Sequence, residues 1–416
     1  MLDPTDSPHP RDTDTDDDEL IAACQFDAGH HRENTRWAEH ETSFAQEPHS
    51  RRTMARLPSS RCTRWPSGAA RSLLLVEHET AWLPQELQSV ALRLARADHA
   101  TYQLGELSLT WSREALQMQE TDRGNGQLDV VVSGVRPIPP LASMLFSEAI
   151  NHLRAAVDNT LFHLVESARD VMVPEKQARE IAMPIHEDPE KFTNWQSQRH
   201  NKGLVELGPG TQLGERIQSL QPYADTTARG ATLPPLLAQL MDVPVEYAHP
   251  LVLLQKYSNT DKHRTIRTAG ARSIVQRSDE PFSTSDRTMR PITVGDVLAS
   301  TRRGYPVEIS CHTAILVQRP DSDTWVSPAG ELNQIHRHIA DIVLPTLVTG
   351  FALPNTLPPH IDLGDTGQTI SERIRSGGST PAHRRMAEVA QAALMESYAT
   401  APADLSASSG ENHPSG

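Results

Sequence analysis

Cysteine is scarce in this chain. Three residues of 416, Cys24, Cys62 and Cys311, are scattered and odd in number. None has a neighbour at metal-ligand spacing, which excludes a disulfide framework and a cysteine-built zinc site. The usage fits a reducing, cytoplasmic compartment. Long apolar runs are missing as well. Nothing approaches the roughly 18 to 20 apolar residues that a membrane-spanning helix needs, so no membrane partner is expected. Met1 is followed by acidic sequence rather than a basic region and an apolar core, so no secretory signal is read there. There is no Gly-rich phosphate loop after a strand, no Gly-x-Ser-x-Gly elbow and no His-Glu-x-x-His pair. With those signatures absent, no cofactor and no metal site is expected. No internal repeat is evident.

What is present is uneven. The apolar fraction is 37% and there are 31 prolines, a composition that points to long irregular stretches beside a folded core. The formal net charge of −14 disfavours general nucleic-acid binding, though not a local basic patch. Residues 1–72 read as a disordered tail. Its first part carries the acidic block Arg11–Leu20. Its second part carries Arg51, Arg52, Arg56, Arg61, Arg64 and Arg71 with no acid among them. Neither part has apolar periodicity, and like-charge blocks are usually solvated.

A single α+β domain is expected over 73–353, with a helical core at about 83–264 and a sheet with a closing helix at about 265–353. The spacing of Leu87, Val90 and Leu94, then Leu104, Leu107 and Trp111, predicts a helix over 83–118, bent or split at Gly105. Leu128–Arg136 reads as a strand after the Arg123–Gln127 turn. Pro137–Pro140 then starts a helix running from Pro140 to Glu166. Further helices are expected near Pro189, over Leu213–Tyr223, over His249–Arg264 and over Gly330–Phe351. Strands are expected at Thr265–Gln276 and Tyr305–Arg319. These join Leu128–Arg136 in one small, mainly antiparallel sheet, because the elements lack regular βαβ alternation. Residues 354–416 read as a mostly disordered tail, with a short isolated helix near Pro381–Tyr398.

The Pro140–Glu166 helix carries the candidate site. At about 100° per residue, Glu148, Asn151, Arg154 and Asp158 fall in one band roughly 120° wide on a helix that is otherwise apolar nearly all round. Such a helix is usually buried, and buried charges must be paired. The densest polar cluster elsewhere is Asn259, Asp261, Lys262, His263 and Arg264, at the end of an apolar helix where cations complement the helix dipole. Arg154 is therefore expected to meet Asp261, and Asp158 to meet Lys262, His263 or Arg264. His336 and His338, two apart on a helix, face different ways and do not form a metal pair on their own. Glu148, Asn151 and His152 lack the Glu-x-x-His spacing of a metal cluster.

The two segments resemble a group of uncharacterised, mostly actinobacterial proteins. In that group a helix reading roughly H-N-L-R-S-x-L-D-H-x-x-W lies upstream of L-N-N-x-D-K-H-R. Here NHLRAAVDNTLF (Asn151–Phe162) and YSNTDKHR (Tyr257–Arg264) occupy those places, with Met183–Ile185 and Leu220–Tyr223 as lesser landmarks between. The likeness covers about Leu128–Arg264 and carries no activity with it. More remotely, Arg154 on a buried helix is similar to the Arg-x4-6-His signature of HEPN domains, many of which are metal-independent ribonucleases. The histidine position holds Asn159, which cannot act as a base. Catalysis in that mode would need Arg154 with His263.

Two expectations follow. The first is a non-catalytic binding protein in which Glu148, Asn151, Arg154, Asp158 and the Asn259–Arg264 cluster form a binding or structural network. The alternative is a HEPN-like ribonuclease or defence protein, with nucleotide or RNA contact at Lys262, His263 and Arg264. A homodimer is compatible with either.

Overall fold

The computed structural model describes residue 78 and residues 80–399, apart from 242 and 306. The acidic and Arg-rich tail, Cys24 and Cys62 lie outside the described residues.

Helices α1 (Gln88–Ser112) and α2 (Leu141–Ser167) form the central pair. Between them lies a hairpin of β1 (Leu116–Gly124) and β2 (Gln127–Val135). Next come α3 (Glu175–Ala178), α4 (Pro189–Asn201), α5 (Gln212–Ser219), β3 (Gly230–Ala231), α6 (Pro235–Met241), β4 (Tyr247–Ala248) and α7 (Pro250–His263). The strand-rich part holds β5 (Thr268–Arg277), β6 (Arg290–Pro291), β7 (Val297–Arg302), β8 (Ile309–Gln318) and β9 (Trp325–Val326). It is followed by α8 (Pro328–His338), a π-helical turn at Ile339–Val343, then α9 (Leu344–Thr349), α10 (Ile370–Arg375) and α11 (Ala382–Ala399). The class is α+β. Among the described residues no helix is long and apolar enough to cross a membrane.

Local chemistry sets several boundaries. Asp188, His249 and Ser327 each precede a proline, and each accepts a backbone N–H of the helix that follows. Proline in the first turn sacrifices no intrahelical bond, and the preceding side chain takes up an orphan donor. The β1–β2 turn holds Gly124, Asn125 and Gly126 at φ of +83°, +57° and +72°. Glycine is favoured in this left-handed region, and asparagine tolerates it better than most other residues.

α2 buries Leu145, Phe146, Ala149, Ile150, Leu153, Ala156, Val157 and Leu161, so its apolar face is as broad as expected. Phe146 packs edge-on against Tyr257 of α7 with ring centroids 4.9 Å apart. Fully burying residues of this size is worth about 2 to 3 kcal/mol each. One polar set is buried with them. Arg319 donates from Nε and Nη2 to the two Glu331 oxygens, both at 2.8 Å, and Tyr257 Oη donates to the same carboxylate at 3.2 Å.

Three expectations are corrected. The first helix ends at Ser112, and Leu116–Met118 begin a strand instead, with Leu116 and Met118 facing inward from an otherwise polar β1. The expected single sheet is two: β1-β2-β7 and β6-β5-β8-β9, with β3 and β4 paired separately. A small apolar cluster of Val132, Val275, Ile292 and Leu298 joins the two larger sheets. Finally, α11 is not isolated. Met386 is fully buried, Asp98 Oδ1 accepts Ala382 N–H at 2.6 Å, and Asp98 Oδ2 pairs with Arg385. α11 therefore docks on α1, with its side chains described as far as residue 392.

Candidate functional site

The polar band of α2 is divided among three neighbours. Glu148 meets Arg96 of α1 at 2.6 Å. Asp261 of α7 accepts from Ser147 Oγ at 2.5 Å and from Asn151 Nδ2 at 2.9 Å. Arg154 and Asp158 pair with each other at 2.9 Å and together hold Met183, Arg154 donating to its carbonyl at 2.8 Å and Asp158 accepting its N–H at 2.9 Å. The expected Arg154–Asp261 contact is thus replaced. Asp261 sits between Ser147 and Asn151, about one to two turns along the helix axis from Arg154. Asp158 likewise meets Met183 rather than Lys262, His263 or Arg264.

Asn159, at the position where a HEPN-type histidine would be, is exposed but engaged by its neighbours. With its amide oriented to match its neighbours it accepts from Arg93 at 3.0 Å and donates to Ala155 O at 3.2 Å. Asn259, Lys262, His263 and Arg264 are exposed at the end of α7. His263 and Arg264 border a shallow groove with Met144, Ser147 and Asp261. Among the described residues Arg154 and His263 have no shared hydrogen-bond partner.

A larger concavity lies elsewhere. A cleft of about 850 Å³ opens between the second half of α1, strands β5 and β8, α8, α11 and residues 228–237. Its walls are mainly apolar, with Leu104, Leu109, Leu237 and Ile315 among them. Ligand sites are usually of this kind, with a few polar groups for orientation.

Arg272, His383 and His338 at its wall have buried nitrogens without a partner among the described residues. Arg272 of β5 is 3% exposed, and its Nη2 donates to Asp286 at 2.6 Å. Its Nε and Nη1 are buried without a partner among the described residues. His383 of α11 has both ring nitrogens buried and unpartnered, and burial pushes its pKa down to about 4. It is therefore a neutral ring at physiological pH. Leaving a buried donor unsatisfied costs about 1 to 3 kcal/mol, more for a charged group. Cys311 on β8 is a free thiol pushed up to about 11 by burial, so it is not a reactive nucleophile.

The same wall carries His338, the last residue of α8. His336 and His338 do face opposite ways. His336 contacts Leu94 O of α1 at 3.2 Å, while His338 turns to His249, ring centroids 5.1 Å apart. Burial pushes both His336 and His338 down to about 4, with the neighbouring His249 adding to the shift at His338. Sequence spacing missed the cleft, Arg272 and this histidine pair, because their residues come from distant stretches. The local signals were an arginine in the middle of the 268–277 strand and a histidine directly before Pro250.

Comparison with protein-family models, with curated proteins and with solved structures finds no match to this chain.

Proposed function

We propose that this chain is a non-catalytic, cytoplasmic binding protein whose cleft takes a small amphipathic anion. The observation that carries the reading is Arg272, a buried guanidinium with two unpartnered nitrogens at the wall of a mainly apolar cleft. Two orphan donors on a guanidinium that Asp286 engages through Nη2 alone leave capacity for acceptor oxygens, and a carboxylate or sulfonate on an apolar body supplies them. The engagement of Arg154 and Asp158 with Met183 supports a structural rather than a catalytic role for the α2 band.

The test uses 8-anilinonaphthalene-1-sulfonate as a fluorescent probe and decanoate as its competitor. Saturable probe binding, reversed by decanoate, is expected. Arg272→Met, checked for folding by circular dichroism, should weaken both ligands about ten- to hundredfold, the worth of one or two charge-assisted hydrogen bonds. Ala314→Phe on the β8 wall should block the cleft while leaving Arg272 in place. Equal affinity in wild type and both variants would remove the reading.

The exposed Lys262, His263 and Arg264 at one helix end favour a second reading, an RNA contact or HEPN-like cleavage there. RNA cleavage lost in a folded His263→Ala variant would make that reading the better one.

A further inference from the structure

Three side chains from separate stretches converge where α7 begins and α8 ends. Asp225 follows the Leu220–Tyr223 segment, His249 precedes α7, and His338 closes α8. One ligand atom from each lies within 4.8 Å of the others. The two imidazoles meet edge to face at 84°. His338 is 5% exposed, and the Nε2 atoms of both His249 and His338 are buried without a hydrogen-bond partner among the described residues. Asp225 uses Oδ1 for Thr227 N, Thr227 Oγ1 and Ala228 N at 3.1, 2.7 and 3.2 Å. Its second oxygen remains for another partner.

Buried polar atoms are nearly always satisfied. Two orphan imidazole nitrogens beside a carboxylate oxygen can be satisfied together by a cation. Two imidazoles and one carboxylate match zinc or iron(II) and differ from the oxygen ligands that magnesium and calcium prefer. A second, independent feature lies next to the trio. The helix changes to a π turn at Ile339–Val343, directly after His338. Isolated π turns occur frequently at functional sites.

We propose that Asp225, His249 and His338 bind one divalent transition-metal ion of the zinc type. Coordination at about 2.1 Å sets neighbouring ligand atoms about 3.0 to 3.5 Å apart, so the trio, within 4.8 Å now, closes by less than about 2 Å on binding. His249 Nδ1 now accepts the Leu251 N–H at 3.2 Å. Ligation through Nε2 moves the ring proton to Nδ1 and gives up that cap, which couples metal binding to the first turn of α7. The trio is read without reference to the cleft's occupant, although His338 also borders the cleft.

The test uses the full chain, stripped with a chelator and titrated with Zn²⁺ by calorimetry and with Co²⁺ by visible absorption. The chain has 19 histidines, so the comparison of variants decides. Asp225→Asn keeps an oxygen for the Thr227 and Ala228 contacts while removing the charge, and so is expected to fold. Wild type should show a one-to-one step and a visible Co²⁺ band. Asp225→Asn and His249→Ala should weaken that step, and His338→Ala should abolish it. The exposed-site variant His263→Ala should leave it unchanged. No binding step in wild type, or the same step in folded Asp225→Asn and His249→Ala, overturns the proposal. The first of these results would leave a shared-proton or water-filled cluster as the account of the trio.

Discussion

A Cβ placed on Gly105 of α1 would lie 2.8 Å from Met386 Cγ of α11. The glycine that looked like a bend in the sequence is a point of close helix contact. Alanine gains about 1 kcal/mol of helix propensity there and loses part of it to the contact. Gly105→Leu should destabilise by about 1 to 3 kcal/mol, the usual cost of overpacking. In urea unfolding the midpoint should fall, and limited proteolysis should cut α11 first. Undiminished stability would mean that α11 is not docked on α1.

Arg319 and Glu331 form the most buried ion pair described, at 5% and 0% side-chain exposure. Removing one partner strands the other charge, so Glu331→Leu should cost about 3 to 5 kcal/mol. The double variant Arg319→Met/Glu331→Leu should recover most of that loss. Tyr257→Phe, which removes one hydrogen bond to Glu331, should cost about 1 kcal/mol. Chemical denaturation of these proteins together with the single Arg319→Met variant provides the check, and a double variant equal to the sum of the two singles would refute the coupling.

The Arg154–Asp158 pair is 17% and 29% exposed. Asp158→Ala leaves the Met183 N–H and the Arg154 guanidinium short of an acceptor, a loss of roughly 2 kcal/mol. Asp261→Ala frees only Ser147 and Asn151, which can reach water, so a smaller loss of about 1 kcal/mol is expected. Thermal melts of the two variants should rank in that order. The reverse ranking would make the Asp261 contacts the more stabilising and refute this reading of the α2 band.

Burial pushes Asp98 up to about 6, although Arg385 and the Ala382 N–H pull it down. The folded state therefore holds this proton more tightly than the unfolded chain. The linked stability is present below about pH 4 and is lost as pH rises through about 6, amounting to about 3 kcal/mol over that window. Carbon-detected carboxyl titration should place the Asp98 midpoint near 6. The stability of wild type minus that of Asp98→Asn should fall between pH 4 and 6. A flat difference would contradict the burial of this carboxylate.

Much of the helical skeleton was legible because it is local. The Pro140–Glu166 helix, the strands at 128–136 and 305–319 and the closing helix after Pro328 follow from apolar period and capping residues within one stretch. β1 was missed because its outer positions, from Glu120 to Arg123, are polar and exposed, leaving only Leu116 and Met118 to mark its inner face. α11 looked detached because its anchors, Asp98 and Gly105, lie in the first helix.

The α2 band shows where sequence reasoning stopped. Its residues were expected to be buried, yet Asn151 is exposed and Glu148, Arg154 and Asp158 are half-buried, and the partner assigned to Arg154 lies against Ser147 and Asn151, about one to two helical turns away. A period fixes the angle of a side chain about its own helix, and nothing in it fixes how far a second helix is slid along the first. The sequence by itself determined the α+β class, most of the helix starts and the broad apolar face of α2, since these rest on spacing and backbone chemistry within a few residues. Tertiary structure alone decided that Met183 lies between Arg154 and Asp158, that Arg272 borders a cleft, and that Asp225, His249 and His338 meet. Such encounters depend on long-range packing, which local periodicity does not encode.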